Sequence, residues 1–558
     1  MSLPYYKEII FDLVGLGFGP ANIAVAGALT EQWEDTTISA PYPVKKALFI
    51  EKHKSFRWHP GMLLPDARMQ ISFMKDLATL RNPKSPYTFL SYLHSQGRLV
   101  SFINRASTIP TRKEYSDYLS WAACRVQEKG VNVLYGHEVV GISSATDDTV
   151  AIRCRNLLTG EEDIIKSRNI IISPGGCPRI PPVLSSVVKH PHIVHSSSYA
   201  TSISKILGTL SGTSRDLRLA VIGSGQSAAE VTMDLRRRLS NIPSVCRHQV
   251  DMLIRKGALK PSDDSPFANE IFDPAATDTW YSLSTKQLRD MRLAEYKLTN
   301  YGVVNSRTLE ALYETIYDQG LDSGIAHRLG NVMDHSEPFI NVRPYTFITS
   351  VKFENEDTAS TPLGLLLSPE NIPTNNEGAP RFSIATRNVL SLETAEQHYD
   401  AIVYATGYER SSWVTLLRNS DIARHFGLSS LSTDVRLMPV SEDVALPQPS
   451  PFSTMPSDCG ASSPSTISST DSSPPTSPDM GSFSSQMDKG PRCEEVYISR
   501  NYRLIPSGGK TNGKEYGQFT PRIYLQGVEE NTHGLSDTLL SVIGVRAGEV
   551  IRDLTFGA

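Results

Sequence analysis

Two glycine-rich turns are the residues whose types and spacing most directly suggest chemistry. The first, Gly15-Leu16-Gly17-Phe18-Gly19-Pro20, follows the apolar run Ile9–Val14 and opens onto Ala21-Asn22-Ile23-Ala24. The second, Gly223-Ser224-Gly225-Gln226-Ser227-Ala228, follows Leu217–Ile222 and leads into Ser227–Leu239, a stretch rich in Ala, Glu, Leu and Arg. In a strand–turn–helix unit such glycines allow a tight turn and let backbone N–H groups approach a pyrophosphate at the positive end of the helix. Two of these units in one chain suggest electron transfer between two dinucleotide cofactors.

Charged residues beyond each turn would select the cofactor. Leu48-Phe49-Ile50-Glu51 is an apolar stretch ending in a carboxylate, placed where an acid accepts hydrogen bonds from ribose hydroxyls. The alternative is a solvated strand end. The gap of about 36 residues from Gly15 to Glu51 exceeds the usual ~20, so an insertion near Glu31–Pro43 is expected. After the second turn, Val250–Ile254 ends in Arg255-Lys256, where an NAD site would carry a carboxylate. A guanidinium there suits a 2′-phosphate and favours NADP(H) over NAD(H); the alternative is a pair of ordinary solvated basic residues. A third signal, Asp400–Tyr408, is an apolar strand ending in a Thr406-Gly407 corner, small enough for the chain to cross close to a cofactor or between domains.

The elements that must hold these turns read as α/β. Short apolar runs ending in glycine are the pattern of buried parallel strands. Further helices are expected around Tyr87–Leu93 and Lys113–Lys129, and strands at Val131–Tyr135, Val150–Arg155, Asn169–Ile172 and Arg522–Gly527. Ser262–Leu329 has many helix formers and reads as a helical subdomain, and Thr538–Leu554 as a closing helix. Residues Ser441–Arg492 are dominated by Ser, Pro, Thr and Gly and bury too little apolar surface to offset their ordering entropy, so a disordered surface insertion is expected there.

Composition narrows the class. The 558 residues suggest about three domains. With 55 Lys plus Arg against 59 Asp plus Glu, a net charge of −4 gives no basic field for nucleic acid or an anionic membrane. The six cysteines contain no C-x-x-C pair for zinc or dithiol redox work. No leader and no apolar stretch near the ~20 residues of a membrane helix is visible, so a cytoplasmic protein is expected.

Longer blocks resemble the flavin-dependent N-hydroxylating monooxygenases, most closely the fungal L-ornithine N5-monooxygenases of hydroxamate siderophore biosynthesis. They are Gly15–Asn22, Phe56–Met62, Met69–Arg81, Pro261–Glu270, Ala405–Tyr408 and Thr532–Ser541. The resemblance implies two Rossmann-like domains with a smaller helical substrate-binding region. It places an FAD-binding part at 1–213, an NADPH-binding domain at 214–399 with the helical region at about 262–329, and the rest of the FAD-binding domain at 400–558. Carried over by position, Lys75, Asn269, Asn300 and Ser536 correspond to substrate-binding residues. FAD would be held at Gly15, Gly17, Gly19, Pro20, Glu51, Trp58, His59, Met69, Gln70 and Leu535. NADP would be held at Gly223, Gly225, Gln226, Ser227, Arg255, Thr406 and Gly407. No metal is implied.

The implied reaction hydroxylates the side-chain amine of L-ornithine with dioxygen and NADPH through a hydroperoxyflavin, in a homotetramer. Read from the residues alone, Lys75 could instead snorkel from a helix face, and Asn269 could cap a helix beginning near Glu270. His59, His533 and Asp537 stand equally as acid–base groups or as structural residues. L-lysine N6-hydroxylation, another amine monooxygenase, and a catalytically silent flavin or NADP(H)-binding sensor remain alternatives.

Overall fold

The computed structural model describes residues 6, 9–37, 39–211, 215–243, 246–283, 285–330, 337–354, 381–429, 434–440, 493–507, 510–511, 514–515 and 519–557. The Ser/Pro-rich stretch 441–492 lies outside the described residues.

Two five-stranded parallel sheets share the order of four strands and differ in the fifth, an edge strand that comes last in the chain in the first sheet and first in the second. In the first, Leu13–Leu16 is central, flanked on one side by Ala47–Glu51 and then Asn132–Tyr135, and on the other by Asn169–Ile172 and then Arg522–Leu525. In the second, Arg218–Ile222 is central, flanked by Gln249–Leu253 and Phe339–Arg343 on one side and by Ala401–Tyr404 and Ile193–His195 on the other. Two of these strands, Ile193–His195 and Ala401–Tyr404, lie outside 214–399, so the second sheet reaches past the boundaries expected from sequence on both sides.

The continuous apolar runs become strands because both faces of each sheet are covered. Alternate residues of the first sheet point into different cores: Leu13, Phe49, Ile171 and Tyr524 pack among helices, whereas Val14, Leu48, Ile170 and Ile523 pack against the antiparallel strands His137–Thr146, Thr149–Asn156 and Glu162–Ser167. The second sheet repeats the plan. Leu219, Val221, Val250 and Val403 join helices Tyr199–Leu210 and Gln226–Leu239, and Ala220, Ile222 and Ile402 face the antiparallel strands Thr346–Glu354, Arg381–Asn388 and Thr394–Tyr399.

The predicted helices are present at Phe89–Ser95, Arg112–Glu128 and Gln226–Leu239, and the stretch 262–329 is helical, with Lys286–Asn300 and Ser306–Leu329 its longest members. The closing helix runs Ile543–Phe556 and is preceded by short 3-10 turns at Leu535–Thr538 and Leu540–Val542, so it starts later than Thr538. The extra length before Glu51 is the connection 35–46. Glu31 belongs to helix Pro20–Glu34, where Arg81 grips its carboxylate through two 2.8 Å hydrogen bonds. No described helix is long and apolar enough to cross a membrane.

Candidate active site between two dinucleotide turns

Each glycine turn sits where its strand order reverses, the crevice in which open α/β sheets bind ligands. At the first, Gly17 has φ of +86°, and a Cβ there would lie 2.8 Å from the Ser173 carbonyl oxygen, on the chain leaving the neighbouring strand. At the second, Gly223 has φ of +141°, and a Cβ would lie 2.5 Å from the Ala405 oxygen. The Ala405-Thr406-Gly407 corner therefore does in the second unit what the chain at Ser173 does in the first. Gly407 has φ of +82°, and Thr406 Oγ1 donates to the Arg179 carbonyl at 2.6 Å.

The first turn has the features a dinucleotide needs. Gly19 precedes helix Pro20–Glu34 with open space where a side chain would begin, so a phosphate can approach the backbone. Glu51 accepts from the Phe18 N–H at 2.9 Å and the His53 N–H at 3.0 Å, fixing a carboxylate that keeps lone pairs for ribose hydroxyls. Asn22, fully buried, donates to the Gly17 carbonyl at 2.7 Å and accepts from Ser173 Oγ at 3.1 Å, tying the turn to the switch point. At the second turn Gly225 precedes helix Gln226–Leu239. Arg255 and Lys256 are exposed beyond the neighbouring strand, and Lys256 Nζ lies 3.3 Å from where Gly302 would carry a Cβ.

A cavity of about 1120 Å³ opens between the two units. Met69, Gln70 and Lys75 line it from the first, Gln226 from the second, and Asn269 from the helical region. Gln226 is its hub: its Oε1 accepts from the Asn305 N–H at 2.7 Å, and its Nε2 donates to Glu230 at 2.7 Å and Thr308 at 3.1 Å. Arg112 bonds Glu230 at 2.6 Å and links the units. Nothing in sequence spacing singles out Arg112, Glu230, Asn305 or Thr308; their roles arise from packing between distant segments.

Lys75 does not stand on a helix. Asp76 accepts from the backbone N–H groups of Ala78 at 2.9 Å, Thr79 at 2.6 Å and Phe89 at 2.6 Å, and this carboxylate holds 71–81 in successive turns. The Lys75 ammonium lies 5.1 Å from the centre of the Phe272 ring. Desolvation pushes its pKa down, with Asp273 opposing. Asn269 ends the short helix Pro266–Asn269 and makes no cap to the turn after it. Its Nδ2 donates to the carbonyls of Asp264 at 3.1 Å and Ser265 at 3.0 Å, which leaves Oδ1 to accept from a ligand.

The remaining candidates are less accessible. Ser536 and Leu535 are each 1% exposed; Leu535 packs with Ile271, Trp280 and Leu293 in a small core under the helical region. Asn300 ends helix Lys286–Asn300 with Nδ2 donating to the Tyr296 carbonyl. None of the three lines the cavity, although the segments bearing them touch. Trp58 packs 5.7 Å from Tyr115, and His59, in a left-handed conformation with φ of +42°, lies 6.2 Å from the Tyr408 ring. His533 is fully buried, stacked 4.3 Å from Tyr502, with Nε2 at 3.1 Å from the Arg500 carbonyl; burial pushes its pKa down to about 4. Asp537 pairs with Arg546 at 3.2 Å. Both therefore have structural partners away from the cavity.

Known proteins share this arrangement over nearly the whole chain. Residues 9–337 match the model for L-lysine 6-monooxygenase/L-ornithine 5-monooxygenase. The chain is 55% identical to an L-ornithine N(5)-monooxygenase of Coprinopsis cinerea and 49% identical to one of Ceriporiopsis subvermispora, covering 98% of each chain in both cases. Among solved structures, the ornithine hydroxylase of Pseudomonas aeruginosa is similar with a TM-score of 0.68 and 31% identity, over 98% of this chain and 99% of that one. The ornithine N-hydroxylase of Kutzneria sp. 744, solved with reduced FAD, NADP+ and L-ornithine, gives 0.67 and 27% over the same shares. With a reversal-point glycine turn in each of two units, one cavity between those units and relatives matched end to end, the chain belongs to the L-lysine 6-monooxygenase/L-ornithine 5-monooxygenase family.

Proposed function

We propose that the protein hydroxylates the side-chain amine of L-ornithine, using FAD at the first turn, NADPH at the second, and dioxygen, to give N5-hydroxyornithine for hydroxamate siderophore synthesis. It would act in the cytoplasm as a homotetramer. The observation that carries this reading is the shared cavity, where Lys75 and Asn269 stand beside Gln70 and Gln226 from the two turn-bearing units. When bound, the two cofactors supply the reducing equivalents and activate the oxygen.

The chain's own residues bind and orient the amino acid. The Lys75 ammonium suits an α-carboxylate, and the Asn269 Oδ1 suits an α-ammonium, so together they recognise the head of the substrate and direct its side chain elsewhere. An alkylamine titrates near ~10.4 in water and must be neutral to attack, and desolvation in a closed site favours that form. The second unit suits NADPH because Arg255 and Lys256 stand beyond its turn.

L-Lysine is one methylene longer, and an apolar pocket separates such a pair by only ~1–3 kcal/mol. The test is FAD content of the purified protein, followed by NADPH-driven hydroxylamine formation with L-ornithine, L-lysine and no amino acid. Hydroxylation of ornithine above lysine supports the assignment. Equal or greater turnover of lysine overturns the substrate, and failure to bind flavin overturns the whole reading.

A further inference from the structure

Among the described residues, helix Ser306–Leu329 is held on one side. Leu312 is 1% exposed within the core of the second unit, and the Gln319 side chain bonds both backbone groups of Ile340, on the sheet's edge strand Phe339–Arg343. At 3.6 residues per turn, the opposite side carries a run of large apolar residues four apart: Tyr313 (70% exposed), Tyr317 (62%), Leu321 (49%), Ile325 (36%) and Leu329 (61%). Beside it stand Gly320 and Gly324, each with open space where a Cβ would be. A glycine inside a helix costs stability relative to alanine, and no described residue packs against either one.

We infer that this stripe is a self-association surface, on which the same helix of a second copy of this chain packs antiparallel about a two-fold axis at Leu321. Such a pairing is isologous: each residue meets the one equally far on the other side of the axis. Tyr313 then meets Leu329, Tyr317 meets Ile325, and Leu321 meets itself. The same register sets Glu314 against Arg328, once on each side, and neither has an ion-pair partner among the described residues. The register thus sets apolar residues against apolar ones and Glu314 against Arg328. Its flanks, Glu310, Glu314, Asp318 and Asp322, are acidic and disfavour an anionic lipid surface. The inference rests on the homotetramer reading above and names one of its contacts; it does not depend on the reaction.

The test uses the full-length holoenzyme. By sedimentation velocity, Leu321→Asp halves the assembly mass while leaving circular dichroism unchanged. Glu314→Arg and Arg328→Glu each weaken association at least tenfold, and the double reversal restores it. Under mild oxidation, Leu321→Cys yields a disulfide-linked dimer beyond any wild-type background, and Ala311→Cys does not. A monomeric wild type overturns the inference, as does association that Leu321→Asp leaves intact with no cross-link from Leu321→Cys. A monomer that still hydroxylates ornithine sinks the surface alone; an assembly without hydroxylation sinks the reaction alone.

Discussion

Gln70 and Gln226 face each other across the two dinucleotide units, Nε2 to Oε1 at 3.5 Å, although 156 residues separate them in the chain. Gln226 is at the same time fixed by Asn305, Glu230 and Thr308, so its orientation is set before any ligand arrives.

Gln226→Ala removes the acceptor of the Asn305 N–H and the donor to Glu230. Unmade hydrogen bonds of this kind cost about 1–3 kcal/mol. The expected outcome is an NADPH KM raised at least fivefold, with FAD content unchanged and the ornithine KM moved less. An NADPH KM equal to wild type would show that Gln226 is a structural residue only.

The Arg112–Glu230 pair at 2.6 Å, with side chains 15% and 9% exposed, is a largely buried charged link between the units. Arg112→Ala leaves the Glu230 carboxylate poorly compensated, and a loss of about 1–3 kcal/mol of stability is expected. A double-mutant cycle with Glu230→Gln, read by urea unfolding, should return a coupling energy of at least about 0.5 kcal/mol. Additive losses would mean that the pair contributes nothing to holding the units together.

Lys75→Ala should raise the ornithine KM by an order of magnitude or more while NADPH-driven flavin reduction stays within about twofold. That split distinguishes a substrate contact from a folding defect. An unchanged ornithine KM contradicts the role assigned to Lys75.

The turn bearing Lys75 also shows where the sequence stops being legible. Its apolar pattern looks helical, yet the Asp76 carboxylate captures three backbone N–H groups and holds turns instead. The parallel strands, the glycine turns and helices such as Gln226–Leu239 were readable because burial on both faces and helix-forming composition leave strong local patterns. Among the antiparallel strands, Val150–Arg155 was legible and is present as Thr149–Asn156, whereas Thr394–Tyr399, with sequence TAEQHY, is polar and pairs on the tertiary template of Arg381–Asn388. Lys75 and Asn269 were reached through the family resemblance, whereas the Gln226 hub depends on a loop some 80 residues further along the chain.

His533 supplies a test by pH. Its folded pKa lies near 4, below the ordinary 6.5, because burial disfavours the charged ring. Between those values the unfolded chain binds a proton that the folded chain refuses. His533 thus makes stability fall as pH drops from about 6.5 to 4, by at most ~1.4 kcal/mol per pH unit. His533→Gln should flatten that slope relative to wild type in unfolding curves at pH 7, 6, 5 and 4. An unchanged slope would mean that His533 takes up its proton as readily in the fold as out of it.

The most direct measurement follows the oxygen. Protein with FAD, NADPH, L-ornithine and 18O2 should form N5-hydroxyornithine carrying one labelled atom, the other leaving as water, with NADPH oxidised in equal amount. NADPH consumption that yields only peroxide, with ornithine and every other amine, would contradict the proposed N-hydroxylation while leaving the two-cofactor fold in place.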